Sequence, residues 1–332
     1  MAKKPVGEFD LIARHFAPLA AKATGAFGLT DDAAVLDLTG QTVVTTDMMV
    51  EGMHFLPESD METVARKLLR VNLSDLAAMG AKPVAYTLAL AVRADGANAV
   101  AEAFARGLKA DQEAFCIDLV GGDTVATTGP LSATITAFGE IAPKKKPLRR
   151  SGAKAGDGVY VSGVIGDAVL GLKVLKGELS GLSVSTAQAL VLRHSVPEPR
   201  TALGQALLGV ASACVDVSDG LVQDVGHIAT TSGVAIKIDA DAVPVSDATR
   251  SALDLSPDLL ATVMTGGDDY ELAFTVSESN ALKLAGISKK LGLPLTLIGR
   301  VVDGKEMPKS GVRVLDKKGK DITPARGGFS HF

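Results

Sequence analysis

The sequence predicts a mixed α and β protein, of class α/β or α+β, with two domains. Its 332 residues are more than one ordinary domain usually contains. Short β-branched or apolar runs, typical of strands, alternate with longer stretches of helical periodicity along the chain. A basic segment flanked by prolines at 143–147 has the composition of a surface linker, so we expect domains at 1–147 and 148–332.

The composition excludes several classes of function. It is 47% hydrophobic and 22% charged, which is ordinary for a globular chain with a sizeable core. A net charge of -4 and the absence of Trp argue against a nucleic-acid partner. The sequence shows no secretory signal and no apolar run of about 18 residues, so we expect a cytoplasmic protein that does not bind membranes. Cys116 and Cys214 lie in apolar runs and are expected to be buried structural thiols.

Helices and strands alternate in the first half. We predict helices over 8–17, 62–79 and 97–114, and strands over 41–44, 84–92, 116–120 and 131–139. Within the helix at 62–79, Asn72, Ser74 and Asp75 interrupt an apolar stripe, although such residues compete for the backbone in helix interiors. This local inconsistency predicts a functional role for Asp75. Gly80 is expected to cap the helix.

Two polar segments of the first half are predicted to end strands. Thr45, Thr46 and Asp47 follow the strand at 41–44, and the segment Gly121-Gly122-Asp123-Thr124 follows the strand at 116–120. Hydroxyl and carboxylate oxygens suit Mg²⁺, and glycines let backbone amides approach a phosphate. Taken alone, each segment is also typical of an ordinary turn, as is the acidic pair at 31–32.

The second half repeats the strand, glycine and helix order. We predict strands over 159–162, 213–217, 272–276, 295–301 and 312–315, with helices at 167–175, 186–194, 202–208 and up to residue 230, and a short helix before the last strands. Ser218 or Asp219 is expected to cap the helix that ends near 230, which leaves Asp216 without a capping role. Arg150 follows the linker, where it is either solvated surface or a clamp for a γ-phosphate.

Carboxylates recur at the turns throughout the chain, again in the pair at 268–269. Two carboxylates about 4 Å apart repel by roughly 4 kcal/mol at an effective dielectric near 20, so a convergent set requires divalent cations. Mg²⁺ ions with glycine amides can grip a nucleoside triphosphate and transfer its γ-phosphoryl group. The sequence has neither a Walker A motif nor the protein-kinase motifs. The residues alone therefore predict a Mg²⁺-dependent phosphate enzyme of uncommon fold.

These segments together resemble the thiamine-monophosphate kinase family, from Gly7 to Phe329. The motifs are DDAAV at 31–35, TTDMMVEGMHF at 45–55, NLSDLAAMGA at 72–81, GGDT at 121–124, RSGAKAGD at 150–157, DVSDGL at 216–221 and GGDDYEL at 266–272. The resemblance implies an aminoimidazole-ribonucleotide synthetase-like fold: an N-terminal mixed-sheet domain that binds ATP and Mg²⁺ and forms the homodimer, and a C-terminal α/β domain. It implies ATP-dependent phosphorylation of thiamine monophosphate to thiamine diphosphate, with the nucleotide near the dimer interface.

The resemblance also implies roles for individual residues and no covalent nucleophile. The implied Mg²⁺ ligands are Asp31, Thr45, Thr46, Asp47, Asp75, Asp123, Asp216 and Asp219. The implied ATP contacts are Gly122, Asp123, Arg150 and Ser218, and the implied substrate contacts are His54, Glu271 and Phe329. Two positions depart from the family: Thr30 replaces a usual Gly, and Phe104 stands where a Tyr commonly contacts ATP, so only ring stacking on ATP is expected there.

Two other functions stay open at this point. One is another ATP-dependent synthetase of the same superfamily, above all one like aminoimidazole-ribonucleotide synthetase. The other is a non-catalytic protein that binds nucleotide or metal, although the chain keeps every acidic turn. The superfamily members that use a reactive cysteine are disfavoured, because neither cysteine lies in the N-terminal glycine loop or at the C-terminus.

Overall fold

The computed structural model describes residues 7–31, 33–304 and 311–329. The chain divides into two compact units, Met1–Leu76 with Ala81–Pro143 and Ala77–Gly80 with Lys144–Phe332. Each unit combines one β-sheet with helices, so the predicted mixed α and β class is confirmed. Among the described residues, no helix is both long and apolar enough to cross a lipid bilayer.

The first unit is built on a four-stranded sheet. Its elements are α1 (Glu8–Leu11), β1 (Gln41–Val50), α2 (Met61–Ala78), β2 (Lys82–Val92), α3 (Ala97–Phe115), β3 (Asp118–Ala126) and β4 (Ser132–Ile141). The strand order is β1-β4-β2-β3, so β1 and β3 are the two edges. β2 and β3 are parallel, and the other two pairs are antiparallel. The sheet is therefore mixed, as the resemblance implied.

Helices α2 and α3 bury one face of this sheet. Leu68 of α2 and Phe104 of α3 join Ile135 of β4 in one hydrophobic core. The opposite face is less covered, since Val44 and Met48 of β1 are 57% and 51% exposed. Along β4, buried residues alternate strictly with half-buried ones, which is the signature of a sheet with one covered face.

The second unit contains a six-stranded sheet. Its elements are β5 (Gly158–Ser162), α4 (Asp167–Leu175), α5 (Val184–Ser195), α6 (Thr201–Leu207), β6 (Ala213–Asp216), α7 (Leu221–Ser232), β7 (Ala235–Asp239), α8 (Asp247–Leu255), α9 (Leu259–Thr265), β8 (Leu272–Val276), α10 (Glu278–Leu291), β9 (Leu295–Val302) and β10 (Val312–Leu315). The strand order is β10-β7-β9-β5-β8-β6, and only β10 and β7 pair in parallel.

Both faces of the second sheet are buried. Val159 and Val161 of β5 belong to one hydrophobic cluster, whereas Phe274 of β8 belongs to another. The Tyr160 ring stacks on that of Phe274 with centroids 5.8 Å apart. Side chains alternate between faces along a strand, so consecutive residues of β5 enter different clusters.

Several predicted bounds of strands and helices are wrong. The strands beginning at 41 and near 118 continue to Val50 and Ala126, so Asp47 and Asp123 lie inside strands and do not end them. The last helix has 14 residues and is not short. The predicted C-terminal glycine of α2 is confirmed, because Gly80 has the left-handed φ of 74°.

The cysteine prediction is half wrong. Cys214 is buried in β6, where burial raises the pKa of its thiol. Cys116, in contrast, is exposed just after α3, with a left-handed φ of 53°. The apolar run around it reflects its neighbours: Ile117 is fully buried, whereas Cys116 turns outward at the end of the helix.

Candidate functional site

A pair of carboxylates joins β1 to α2. Asp47 of β1 and Asp75 of α2 are in hydrogen-bonding contact, and the Thr45 hydroxyl donates to Asp75. The Asp47 amide donates to the Asn72 side chain at 3.1 Å, and Asn72 in turn donates to the Leu68 carbonyl at 2.9 Å. The polar residues that interrupt the apolar stripe of α2 therefore face β1, where they hold the carboxylate pair in place.

The two carboxylates of this pair repel each other when both are charged. Burial, and then the neighbouring Asp75 carboxylate, raise the pKa of Asp47 to about 7. A shared proton or a cation relieves such a pair, because two adjacent carboxylates do not both remain charged without one. Three oxygen donors, two of them acidic, suit Mg²⁺, which is held by one or two carboxylates and keeps several waters. The residues present therefore fit a magnesium ion.

Thr46 lies apart from this pair. Neighbouring side chains of a strand point to opposite faces, so the Thr46 side chain leaves β1 on the side opposite to Thr45 and Asp47. Its hydroxyl donates to the Ile135 carbonyl at 3.1 Å and accepts from Thr136 at 3.2 Å. The structure does not bring this hydroxyl together with Asp75, although sequence proximity suggested that it would.

His54 is fixed by the turn that follows β1. Its Nδ1 accepts from the Val50 amide at 3.1 Å, and its own amide donates to the Val50 carbonyl at 2.9 Å. Since Nδ1 is an acceptor, a neutral ring carries its proton on Nε2. The ring can therefore donate from Nε2 to a ligand.

The opposite edge of the first sheet carries the second polar group. A cavity of about 110 Å³ is lined there by Asp31, Gly122 and Asp123, together with apolar residues such as Phe16 and Leu29. A Cβ on Gly122 would come within 1.9 Å of the Leu88 carbonyl oxygen, so only glycine fits this strand position. Backbone without a side chain at Gly122 thus lies beside two carboxylates, and this combination suits a metal-bound phosphate.

The two polar groups of the first unit are far apart in a single chain. Asp47 pairs across the sheet with Ile135, whereas Asp123 pairs with Ala89, one residue row away. Three strand spacings separate β1 from β3, about 14 Å at the usual interval. In the described part of the chain, no three His, Cys, Asp or Glu side chains converge to hold a metal ion. The ligands that the resemblance implied in the first unit therefore fall into two groups, at opposite edges of its sheet.

Phe104 packs inside the hydrophobic core, and this position does not allow the predicted contact with a nucleotide. The side chain is completely buried in α3, within the core that also contains Leu68 and Ile135. A ring stacks on a base only if one of its faces is accessible. The expectation that Phe104 stacks on ATP is therefore not compatible with its position.

In the second unit, a turn between β6 and α7 presents Ser218 and Asp219. Oδ2 of Asp224 accepts three backbone amides, from Ser218 at 3.1 Å and from Asp219 and Gly220 at 3.0 Å each. Gly220 occupies the N-cap position and no side-chain cap is formed, so the capping predicted for Ser218 or Asp219 is wrong. The acceptor instead comes from the first turn of the helix. The sequence reasoning missed Asp224, whose place four residues after Gly220 is the signal for this contact.

Arg150 lies within electrostatic reach of the same turn. It acts on the pKa of Asp224, which burial raises to about 7 while the backbone amides oppose the rise. Burial and the Arg150 charge also lower the pKa of His227. Asp216, in contrast, is 3% exposed at the end of β6. The structure thus brings Arg150, Ser218 and Asp219 to one region, whereas Asp216 is buried at the end of the preceding strand.

The C-terminal segment docks on this turn. The Phe329 amide donates to the Asp219 carbonyl at 3.0 Å, and Gln223 donates to the Phe329 carbonyl at 2.9 Å. The Phe329 side chain is 51% exposed, so an aromatic ring stands beside the polar turn with a face available for stacking.

A second loop, at 266–271, runs alongside the 216–219 turn. The Asp268 amide donates to the Ser218 carbonyl at 2.8 Å, and the Tyr270 amide donates to the Val217 carbonyl at 2.8 Å. Asp268 and Tyr270 have φ of 73° and 52°, left-handed values that are uncommon for residues other than glycine. Glu271, at the end of the loop, is completely buried, although the resemblance implied that it faces the substrate.

The chain matches two known family models and named relatives. The family models described as "AIR synthase related protein, N-terminal domain" and "AIR synthase related protein, C-terminal domain" match residues 30–141 and 154–308. The thiamine-monophosphate kinase of Caulobacter vibrioides is 42% identical over 335 residues, which cover 99% of this chain and 92% of that relative.

The chain belongs to the thiamine-monophosphate kinase family. Solved structures of this family agree with the fold. The thiamine-monophosphate kinase of Stenotrophomonas maltophilia K279a has a TM-score of 0.81 and 40% identity, covering 91% of this chain and 96% of that one. The structure described as AaThiL complexed with AMPPCP and TMP has a TM-score of 0.77 and 32% identity, covering 100% and 99%. The two-domain synthetase-like fold implied by the resemblance is thereby confirmed.

Proposed function

We propose that this chain transfers the γ-phosphoryl group of ATP to thiamine monophosphate, giving thiamine diphosphate, the last step in making that cofactor. The observation that carries the proposal is identity of 42% to a thiamine-monophosphate kinase over 99% of the chain. A relative of known structure has been captured with AMPPCP and TMP, and it aligns with the whole of this chain. The carboxylate pair of β1 and α2 supplies the chemistry that such a transfer needs.

Asp47, Asp75 and Thr45 would hold Mg²⁺ in the first unit, and Asp31 and Asp123 would do so at the opposite edge. Bound Mg²⁺ neutralises phosphate charge and aligns the attacking and leaving oxygens. The residues contribute by fixing oxygens: Asn72 positions the backbone of Asp47, and Thr45 orients Asp75. Because these oxygens are already held in position, a weakly held Mg²⁺ ion would bind in one geometry.

Other residues would bind the two substrates. The amides near Gly122, the Arg150 guanidinium and the Ser218 hydroxyl suit the ATP phosphates. His54, through Nε2, and Phe329, through its exposed ring, suit thiamine monophosphate, whose cationic thiazolium favours an aromatic face. Asp216 and Asp219 would bind Mg²⁺ in the second unit.

No covalent intermediate is part of the proposal. Cys214 is buried with a raised pKa, and a buried thiol of this kind is inert. Phosphoryl transfer asks mainly for positioning and charge stabilisation, and the acceptor is already an anionic phosphate oxygen. Incubation with γ-labelled ATP and no acceptor should therefore leave the protein unlabelled. Stoichiometric label that moves into thiamine diphosphate would contradict direct transfer.

We further propose that the enzyme is a homodimer that assembles its metal site from two copies. The support is the separation of Asp47 and Asp75 on edge strand β1 from Asp31 and Asp123 at edge strand β3. A second copy that sets its β3 edge against β1 unites the two groups. The exposed apolar side chains of β1 fit burial against such a partner.

Subunit complementation tests this arrangement. Asp75→Asn and Asp123→Asn chains, each inactive alone, would be mixed with different tags, refolded, and the heterodimer purified. If each site uses Asp75 of one copy and Asp123 of the other, every heterodimer has one intact site, and a random mixture regains about one quarter of wild-type turnover. Activity that stays absent in the purified heterodimer would place both residues in one protomer's site.

The central test measures ADP release with Mg²⁺ and several acceptors. Thiamine monophosphate should support turnover, whereas unphosphorylated thiamine should be a very poor acceptor, by about 10⁴-fold, because the site's phosphate-binding groups stay unpaired. Equal rates with thiamine would refute the proposal. Turnover with the phosphoribosyl substrate of aminoimidazole-ribonucleotide synthetase and none with thiamine monophosphate would favour that synthetase, and nucleotide binding without turnover would favour a non-catalytic role.

A further inference from the structure

The carboxylate of Glu271 has no acceptor capacity left. Arg200 donates to it through Nε at 2.6 Å and Nη2 at 2.5 Å, a bidentate fork. Arg193 donates through Nη2 at 3.0 Å, and the Ser162 hydroxyl at 2.6 Å. A carboxylate offers about four lone-pair sites, and four donors occupy them. A direct hydrogen bond from a substrate to the Glu271 carboxylate would require one of these donors to leave.

The backbone of Glu271 connects this cluster to the 216–219 turn. The Glu271 carbonyl accepts from the Val217 amide at 2.8 Å, and the bonds from Asp268 and Tyr270 to the same turn continue that ladder. Close packing reinforces it, since a Cβ on Gly267 would come within 2.2 Å of the Ser218 carbonyl oxygen. The conformation of the turn that presents Ser218 and Asp219 thus depends on where Glu271 is held.

The loop needs such an anchor because its backbone is strained. Left-handed φ values at non-glycine residues are unfavourable and persist only where the surroundings impose them. Asp268 and Tyr270 both adopt them, just before Glu271. The side chains of Arg193 and Arg200 are 24% and 16% exposed, whereas that of Glu271 is fully buried. The two arginines therefore hold the strained loop from its outer side.

We propose that Arg200, assisted by Arg193, is a positioning residue for nucleotide binding that acts through Glu271. The arginines fix Glu271, Glu271 fixes the paired loops, and these hold Ser218 and Asp219 in the geometry that binds the Mg²⁺-bound nucleoside triphosphate. This inference rests on the proposed function, which gives Ser218 and Asp219 their nucleotide and metal roles. It gives Glu271 an anchoring role at the nucleotide site.

The test replaces the bidentate guanidinium group of Arg200 with an ammonium group that cannot pair at two points. Arg200→Lys keeps the cation but loses bidentate pairing, and binding of a non-hydrolysable ATP analogue with Mg²⁺ is measured by calorimetry. We expect affinity to fall about tenfold or more, on the scale of a misplaced binding group, while the KM for thiamine monophosphate stays within about twofold. Arg313→Lys is the matched control, because Arg313 pairs with Asp321 at 3.1 Å on the surface; it should bind the analogue as wild type does.

A double-mutant cycle separates positioning from direct contact. If Arg200 acts through Glu271, the Arg200→Lys/Glu271→Gln variant should bind the analogue no more weakly than the worse single variant, because the interaction is shared. Additive losses, an unchanged affinity, or a rise confined to the KM for thiamine monophosphate would overturn the proposal. Should Arg200→Lys fail to fold, Arg193→Lys, which alters one donor, carries the same expectations. Because binding of the analogue is read without turnover, an enzyme that binds it but does not phosphorylate thiamine monophosphate would refute the proposed function alone.

Discussion

Two carboxylate centres of this chain are neutralised in opposite ways. In the first unit, Asp47 lies against Asp75, and its pKa is raised to about 7 by burial and by that second carboxylate. In the second unit, Glu271 lies against two guanidinium groups and a hydroxyl. The first centre is completed by a proton or a cation from solution, whereas the second is complete within the protein.

The difference teaches how to separate metal ligands from structural carboxylates within one acidic constellation. Each centre contains a short acidic sequence motif, TTD at 45–47 and DDYE at 268–271, and the two motifs look similar. A carboxylate that lies against a second carboxylate gains more free energy from Mg²⁺ than one that two guanidinium groups already hold. Removal of the charge should therefore be tolerated structurally at Asp75, and removal of the counter-charge should be costly at Glu271.

The largest effect is expected for catalysis in Asp75→Asn. Turnover should fall on the order of 1000-fold, the scale of a lost charge-stabilising group in phosphoryl transfer. The free energy of unfolding should stay constant or rise, because the repulsion with Asp47 disappears. ADP release and thermal unfolding would be measured on the same preparation, with the exposed Asp37→Asn as control. An Asp75→Asn enzyme with most of its activity would exclude the metal role.

The next effect is on stability at the other centre. Arg200→Ala should lower the free energy of unfolding by about 3 to 5 kcal/mol, because it leaves the buried Glu271 charge undercompensated. Arg313→Ala, which opens an exposed pair, should change it by less than about 1 kcal/mol. Urea unfolding measures both. Equal losses in the two variants would mean that burial of Glu271 has no energetic consequence.

Magnesium itself should distinguish the centres by a smaller amount. At a concentration about 100 times its dissociation constant, Mg²⁺ should raise the free energy of unfolding by about 2.7 kcal/mol. The rise should shrink in Asp47→Asn and persist in Asp37→Asn, which changes an exposed carboxylate outside the proposed metal site. Unfolding with EDTA and with Mg²⁺ gives the comparison. Stabilisation that Asp47→Asn leaves intact would place the ion elsewhere.

The smallest effect, counted per pH unit, is the pH dependence carried by Asp269. Burial raises the pKa of this carboxyl well above 3.8, against the amides of Gly166 and Ala168, which lower it. The native state therefore keeps a proton that the unfolded chain loses above pH 3.8. Its contribution to stability is complete below that pH and declines as pH rises, by at most about 1.4 kcal/mol per pH unit. Asp269→Asn should flatten the decline of the unfolding free energy as pH rises above about 4, and an unchanged slope would contradict the assignment.

Periodicity predicted most elements of the fold, and a local inconsistency predicted one part of the site. Asn72 and Asp75 were singled out because polar residues interrupt the apolar stripe of α2, and in the structure they contact β1. The polar ends of β1 and β3 were misplaced, because aspartate and glycine lower strand propensity, whereas tertiary pairing of the strands overrides that local preference. The strand Ala235–Asp239 was missed, since five residues between longer helices give little periodic signal.

Convergence of the site could not be read from sequence. Asp47 and Asp123 share a motif type, but their separation depends on the strand order β1-β4-β2-β3, which no local pattern encodes. Burial of Phe104 and Glu271 is likewise a property of the packed structure. Asp224 acts on the backbone amides of an adjacent turn, which becomes evident only once the start of α7 is known.

The exposed Cys116 has a practical consequence. Of the chain's 2 cysteines, one faces solvent and the other is sealed inside β6. A maleimide fluorophore should therefore attach at a single position of the native protein without any engineered residue. Because that position follows α3 in the first unit, energy transfer between two labelled chains would report their assembly in real time, at the nanomolar concentrations where enzymes are assayed.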